Sequence, residues 1–195
     1  MENSKSLFDS FYTNFILRDL LAKITPGSII FSTLFVISSK DSSSFVEFIS
    51  DLTFWSSIIL LGILWITGIA VQGLGEILVW IRYFPKDIDN RTFQEIRLEF
   101  LKRASDGQKQ ENERIIVIKE ACGNTYVAIV IALFLFFLGG VIRISLHYPI
   151  FVKQNALYIP LLATLVGFVF SLRRMHKRHV DSQRNFMTSC LKTLK

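Results

Sequence analysis

Apolar residues in this chain gather into four long runs, residues 20–38, 54–80, 125–146 and 156–172. Each lies near the ~20 residues that an α-helix needs to cross the ~30 Å hydrocarbon core of a bilayer. The pattern predicts an all-α membrane protein with four transmembrane helices. The second run is the longest, about 40 Å at 1.5 Å per residue, so it must tilt or project beyond the membrane.

Outside the runs the pattern becomes amphipathic. In residues 1–19, Phe8, Phe11, Tyr12, Phe15 and Ile16 recur at helical spacing toward Leu20, with Asp9, Ser10, Thr13, Asn14 and Arg18 between them. This predicts a helix that lies among the headgroups or packs on the protein's own polar helices. Thr25-Pro26-Gly27 then predicts a bend at the start of the first span, because proline lacks an N–H and disfavours the helix just before it.

Residues 82–124 are too many for an unstructured connection. Thr92-Phe93-Gln94-Glu95 has the form of a capping box, followed by Ile96, Phe100, Leu101 and Ala104 at helical spacing. Asp106-Gly107 reads as a turn, and a second helix is expected from near Glu111 through Ile115, Ile118 and Cys122 into the third span. The result is a helical hairpin between spans two and three. Residues 173–195 are expected to continue the fourth span as a helix, with Met175, His179, Phe186, Cys190 and Leu194 along one edge.

Charge orients this arrangement. Of the 22 lysines and arginines, three lie before or at the start of the first span, nine in residues 82–124 and seven in residues 173–195. Only Lys40, Arg143 and Lys153 fall on the other side. By the positive-inside rule, both termini and the hairpin are cytoplasmic. Composition agrees: 51% of residues are apolar and 18 are Phe, enough for one membrane domain with a small cytosolic part. No cleavable leader is expected at the N-terminus. Cys122 and Cys190 both fall on the reducing side, so no disulfide is expected.

The net charge of +6 comes mainly from the tail, where Arg173, Arg174, Lys177 and Arg178 form a candidate patch for anionic lipid or ligand. The hairpin is nearly neutral, which argues against direct nucleic-acid binding and for protein contact. Within the spans, Ser28 and Ser32 share a face, as do Gln72 and Glu76. These four are candidate packing or pore-lining residues, since small hydroxyls let membrane helices approach closely and intramembrane polar groups mark ion paths. Glu76 is the one acid inside a predicted span, and Arg173 or Arg174 is a candidate partner. Ala128 and Ala132, and Ala163 and Gly167, mark further close helix contacts.

No nucleophile–base pair, phosphate-binding glycine loop or metal-ligand spacing is present. His176 and His179 are three residues apart but sit among cations, which oppose a metal ion. The reading is of a non-enzymatic protein with no cofactor. Its small-residue faces predict a homo-oligomer, with a tetramer as the expected closed form.

In layout, and in the stretches Leu20-Leu21-Ala22-Lys23-Ile24-Thr25-Pro26-Gly27, Glu113-Arg114-Ile115-Ile116-Val117-Ile118-Lys119-Glu120 and the basic residues 173–178, the chain resembles the membrane components of the Kiwa anti-phage defence system (KwaA-like proteins). The resemblance implies an oligomeric sensor in the bacterial inner membrane. That sensor would respond to membrane perturbation and partner a cytosolic DNA-binding effector. It carries over no catalytic residues. Two other readings stay open: a pore-forming effector or channel lined by Ser28, Ser32, Gln72 and Glu76, and a nucleotide sensor acting through the tail cations.

Overall fold

The computed structural model describes residues 18, 20–38, 43–78, 92–145 and 158–193, with six helices among them. They are α1 (Thr25–Ser38), α2 (Ser43–Ser50), α3 (Phe54–Ile77), α4 (Phe93–Arg103), α5 (Asp106–Ser145) and α6 (Tyr158–Thr193). No strand occurs among the described residues. Three stretches are long and apolar enough to cross a membrane: Leu20–Ser38, Phe54–Ile77 and Asp106–Gly139. The chain is therefore helical, and these three stretches suit a membrane protein. The predicted amphipathic segment, residues 1–19, lies outside the described residues except for Arg18, as do Trp80 and residues 146–157.

The helices alternate in direction. Ala22 meets Asn124 and Ile37 meets Gly139, so α1 and α5 run parallel. Gly27 meets Leu64 while Lys23 meets Gly68, so α3 runs antiparallel to α1. Lys119 meets His176 and Asn112 meets Gln183, so α6 runs antiparallel to α5. The start of α1 and the end of α6 thus lie toward the same end of the bundle.

Local chemistry sets the helix ends. Thr53 caps α3, its hydroxyl accepting from the Ser56 N–H at 3.3 Å. The expected capping box of α4 is present: Thr92 Oγ1 accepts from the Glu95 N–H at 3.3 Å, and Glu95 Oε2 accepts from the Thr92 N–H at 2.8 Å. The next helix departs from expectation. It starts at Asp106, five residues before Glu111, because Ser105 and Gln108 form a second reciprocal box. Asp106-Gly107 is accordingly the first turn of a helix, and only Ala104 and Ser105 separate α4 from α5.

From Asp106, α5 runs unbroken for 40 residues, about 60 Å. The 36 residues of α6 are likewise continuous. Together with α4 they build a polar layer at one end of the bundle. Its apolar core is Ile96 and Phe100 of α4, with Ala104 just after it, against Met187, Cys190 and Leu191 of α6. Of the tail edge expected, Cys190 and Phe186 do pack in this core, and Leu194 lies outside the described residues. Met175 is exposed and His179 half-buried, while Gln183 and Met187 face inward. A buried glutamine reads as surface in a hydrophobic pattern, which hides the true face.

In the apolar half, α5 is central, packing on α1, α3 and α6. Its Val127, Ala128 and Ala132 are buried, the alanines meeting the expectation of a tight contact. Ala163 and Gly167 on α6 are exposed, with open space around the glycine. The outward faces of α3 and α6 remain apolar, among them Ile59, Ile66, Phe168 and Phe170. The connection between α1 and α3 carries an unanticipated helix, α2, whose Phe48 stacks on Phe31 and Phe35 with centroids 6.0 and 5.1 Å apart.

Candidate functional site

The start of α1 is held in an unusual way, and this positions the site. Residues 20–24 wind as a wider π-type turn before the regular helix begins at Thr25. Pro26 has no N–H to give the carbonyl of Ala22, four residues earlier. That carbonyl accepts Nδ2–H of Asn124 at 2.7 Å, from a side chain only 1% exposed. A neighbouring helix thus supplies the donor that proline lacks, as membrane helices require. The sequence predicts a bend at Pro26; the structure has a change of winding locked to α5.

The turn also brings α1 against α3 at backbone distance. A Cβ on Gly27 would stand 1.9 Å from the Leu64 carbonyl oxygen, and one on Gly68 would stand 2.0 Å from that of Lys23. Only glycine fits at either position. Above the crossing, the Lys23 ammonium sits 5.2 Å from the Trp65 ring centroid, a cation–π contact.

Below the crossing the helices diverge and two crevices open. The larger, about 610 Å³, is lined by Arg18, Lys23, Ile69, Gln72, Gly73, Glu76 and Glu120. The smaller, about 270 Å³, shares Gln72, Glu76 and Glu120 and adds Lys119, Gly123, Asn124 and His176. Arg18 and Glu120 meet fork to fork, Nε to Oε2 at 3.3 Å and Nη2 to Oε1 at 3.4 Å, tying the chain before α1 to α5. Gln72 Nε2 donates to Glu76 Oε1 at 3.3 Å along α3.

A buried polar relay continues from the smaller crevice into the polar layer. His176 Nδ1 lies 3.0 Å from the Lys119 carbonyl, which can only accept, so this nitrogen carries the proton. Lys119 Nζ donates to Gln183 Oε1 at 3.0 Å, and Gln183 Nε2 donates to Asn112 Oδ1 at 3.3 Å. Burial lowers the pKa of Lys119, helped by Arg97 and opposed by Glu120 and Glu113. Burial also lowers that of His179, and Arg178 and His176 add to the effect.

Of the four candidate residues in the spans, Gln72 and Glu76 come together in both crevices. Ser28 and Ser32 line neither, and the Ser28 hydroxyl donates to the Ile24 carbonyl of its own helix at 2.8 Å. Among the described residues, the cations that line these crevices with Glu76 are Arg18, Lys23 and Lys119. Arg173 and Arg174 are exposed on α6, as are Lys177 and Arg178, forming a stripe beside the buried face of His176, Val180, Gln183 and Met187. Among the described residues, no three His, Cys, Asp or Glu side chains converge on a metal-sized space. Arg18, Glu120 and Asn124 escape a sequence reading because their partners lie up to 102 positions away.

Charged groups of both signs therefore meet at the junction of the apolar and polar halves, where they can hold a polar molecule. No protein-family model, curated protein or solved structure matches this chain.

Proposed function

We propose that this protein is a non-enzymatic membrane sensor that couples the state of the bilayer to a soluble cytosolic partner, in the manner implied by its resemblance to the membrane components of the Kiwa anti-phage defence system. In this reading four helices span a bacterial inner membrane. The apolar first part of α6 supplies the fourth, and both termini face the cytoplasm. The cation distribution supports that orientation. The polar layer of α4, α5 and α6 is then cytosolic and presents Leu98 and Leu101, both exposed, to a partner.

The observation that carries the reading is the continuity of α5 and α6. Each passes from the apolar half into the polar layer without a break, so a shift of packing in the membrane reaches the cytosolic surface directly. Homo-oligomerisation would cover the outward face of α6, where Ala163 and Gly167 leave open space.

The test is affinity purification of the tagged protein from its host cell, followed by mass spectrometry. A stoichiometric soluble DNA-binding protein, lost on Leu98→Asp with Leu101→Asp, is the expected result. Recovery of no soluble protein counts against the reading. Planar-bilayer conductance that disappears on Glu76→Gln would replace it with the pore reading. Salt-sensitive nucleotide binding, lost when Arg173, Arg174, Lys177 and Arg178 are neutralised, would replace it with the nucleotide sensor.

A further inference from the structure

We infer that the larger crevice, between α3, α5 and the turn before α1, binds one phospholipid whose headgroup carries both a phosphodiester and a primary ammonium, as phosphatidylethanolamine does. This goes beyond the sensor reading. It rests on α1 and α3 crossing the bilayer and on nothing about a partner.

Depth is the first argument. Gly68 lies about 21 Å along α3 from Phe54 and Glu76 about 33 Å, at 1.5 Å per residue. The far boundary of a ~30 Å hydrocarbon core falls between those two levels. Lys23, level with Gly68, and Gln72 and Glu76 below it therefore bracket the depth of a headgroup. Ile69, on the crevice wall, and Ile66, one turn away, are exposed and give acyl chains an apolar track up α3.

Charge is the second argument. Among the described residues that line this crevice, Arg18 and Lys23 bring two positive charges, and Glu76 and Glu120 bring two negative ones. A headgroup of no net charge keeps that balance; an anionic one would add a negative charge beside two carboxylates. Arg18 and Glu120 already pair as a fork, so the outer N–H groups of Arg18 are placed for the phosphodiester, with Lys23 on the same wall adding its positive charge. Glu76, held on one oxygen by Gln72, offers its carboxylate to the ammonium. A primary ammonium donates hydrogen bonds there, and a trimethylated one cannot.

The test uses the full-length protein in nonionic detergent. It is incubated with an equimolar mixture of phosphatidylethanolamine, phosphatidylcholine and phosphatidylglycerol of the same acyl chains, and the retained lipid is read by native mass spectrometry. The expected result is one retained lipid, with phosphatidylethanolamine over phosphatidylcholine by roughly tenfold, the worth of one charge-assisted hydrogen bond. Glu76→Gln should remove that preference. A series methylated once, twice and three times on the headgroup nitrogen probes the same contact with no substitution, and retention should fall stepwise. Equal retention of all three lipids, a preference for phosphatidylglycerol, no decline along the series, or an unchanged preference in Glu76→Gln would overturn the inference. Displacement by soluble glycerophosphoethanolamine at concentrations as low as those of the lipid would also overturn it, reassigning the crevice to a free headgroup.

Discussion

The crossing of α1 with α3 and the docking of α4 on α6 are built on opposite principles. At the first, Gly27 and Gly68 let two backbones touch, and the outward surface of α3 stays apolar. At the second, Phe100 and Met187 are fully buried between helices whose outward faces are charged. In lipid, apolar burial gives helices nothing to gain from one another, so close approach and satisfied backbone groups must hold them. In water, removing apolar side chains from solvent does that work. α5 and α6 run from the apolar half into the polar layer, and the polar relay of Lys119, His176, Gln183 and Asn112 lies where the two meet.

The contrast can be broken from either side. Phe100→Ala should have the largest effect, about 3–5 kcal/mol from the cavity it leaves. Thermal melts should show loss of the polar layer, while α1 and α3 remain protected from hydrogen exchange. Gly68→Ala should do the converse. Its Cβ meets a backbone carbonyl that cannot turn aside, so the cost belongs at the upper end of overpacking, about 3 kcal/mol. Cysteine cross-linking between α1 and α3 should fall, with the docking of α4 on α6 unchanged.

Asn124→Ala strips the Ala22 carbonyl of its side-chain donor where Pro26 gives none, a loss of about 1–3 kcal/mol for an orphaned buried acceptor. Deuterium uptake should rise over residues 20–30 before it rises elsewhere. The smallest effect concerns pH. The pKa of His179 in the folded protein lies below its ordinary 6.5, so the unfolded chain binds the extra proton more readily. Stability should therefore be intact above that value and decline as pH falls through it. His179→Gln should flatten a melting curve taken between about pH 5 and 7.5. Lys119 is also lowered, and its contribution should make stability rise with pH between its lowered value and 10.5.

What was legible in the sequence follows the same division. The apolar run at residues 20–38 stands as a helix, and so does the run at 54–80 as far as Ile77, because length and hydropathy are local properties of the chain. The Thr92–Glu95 box and the run of α5 from the polar layer into the apolar half were also legible, since both are local patterns. The start of α5 was written in Ser105-Asp106-Gly107-Gln108, but glycine after aspartate reads more readily as a turn than as a first helical turn. The crevice was half legible. Gln72 and Glu76 are four apart on one helix and declare themselves; Arg18, Lys23, Glu120 and Asn124 meet through tertiary contacts that no local spacing encodes. Buried Asn112, Asn124 and Gln183 look like surface to any hydrophobicity pattern, although each is satisfied by a partner on another segment.

One further consequence follows from the unbroken course of α5. Asn124, Ala128 and Ala132 are spaced by four along one face, and Lys119 and Asn112, further back along the same rod, lie on the roughly opposite face at about 100° per residue. One residue inserted between the two sets would change that relation by about 100°. No local repair could restore both the alanine contacts and the Gln183 bonds. A seven-residue insertion would change it by only about 20° and lengthen the rod. Chain length in this helix is thus quantised: variants that keep the gearing between the two halves are those that add or remove whole heptads.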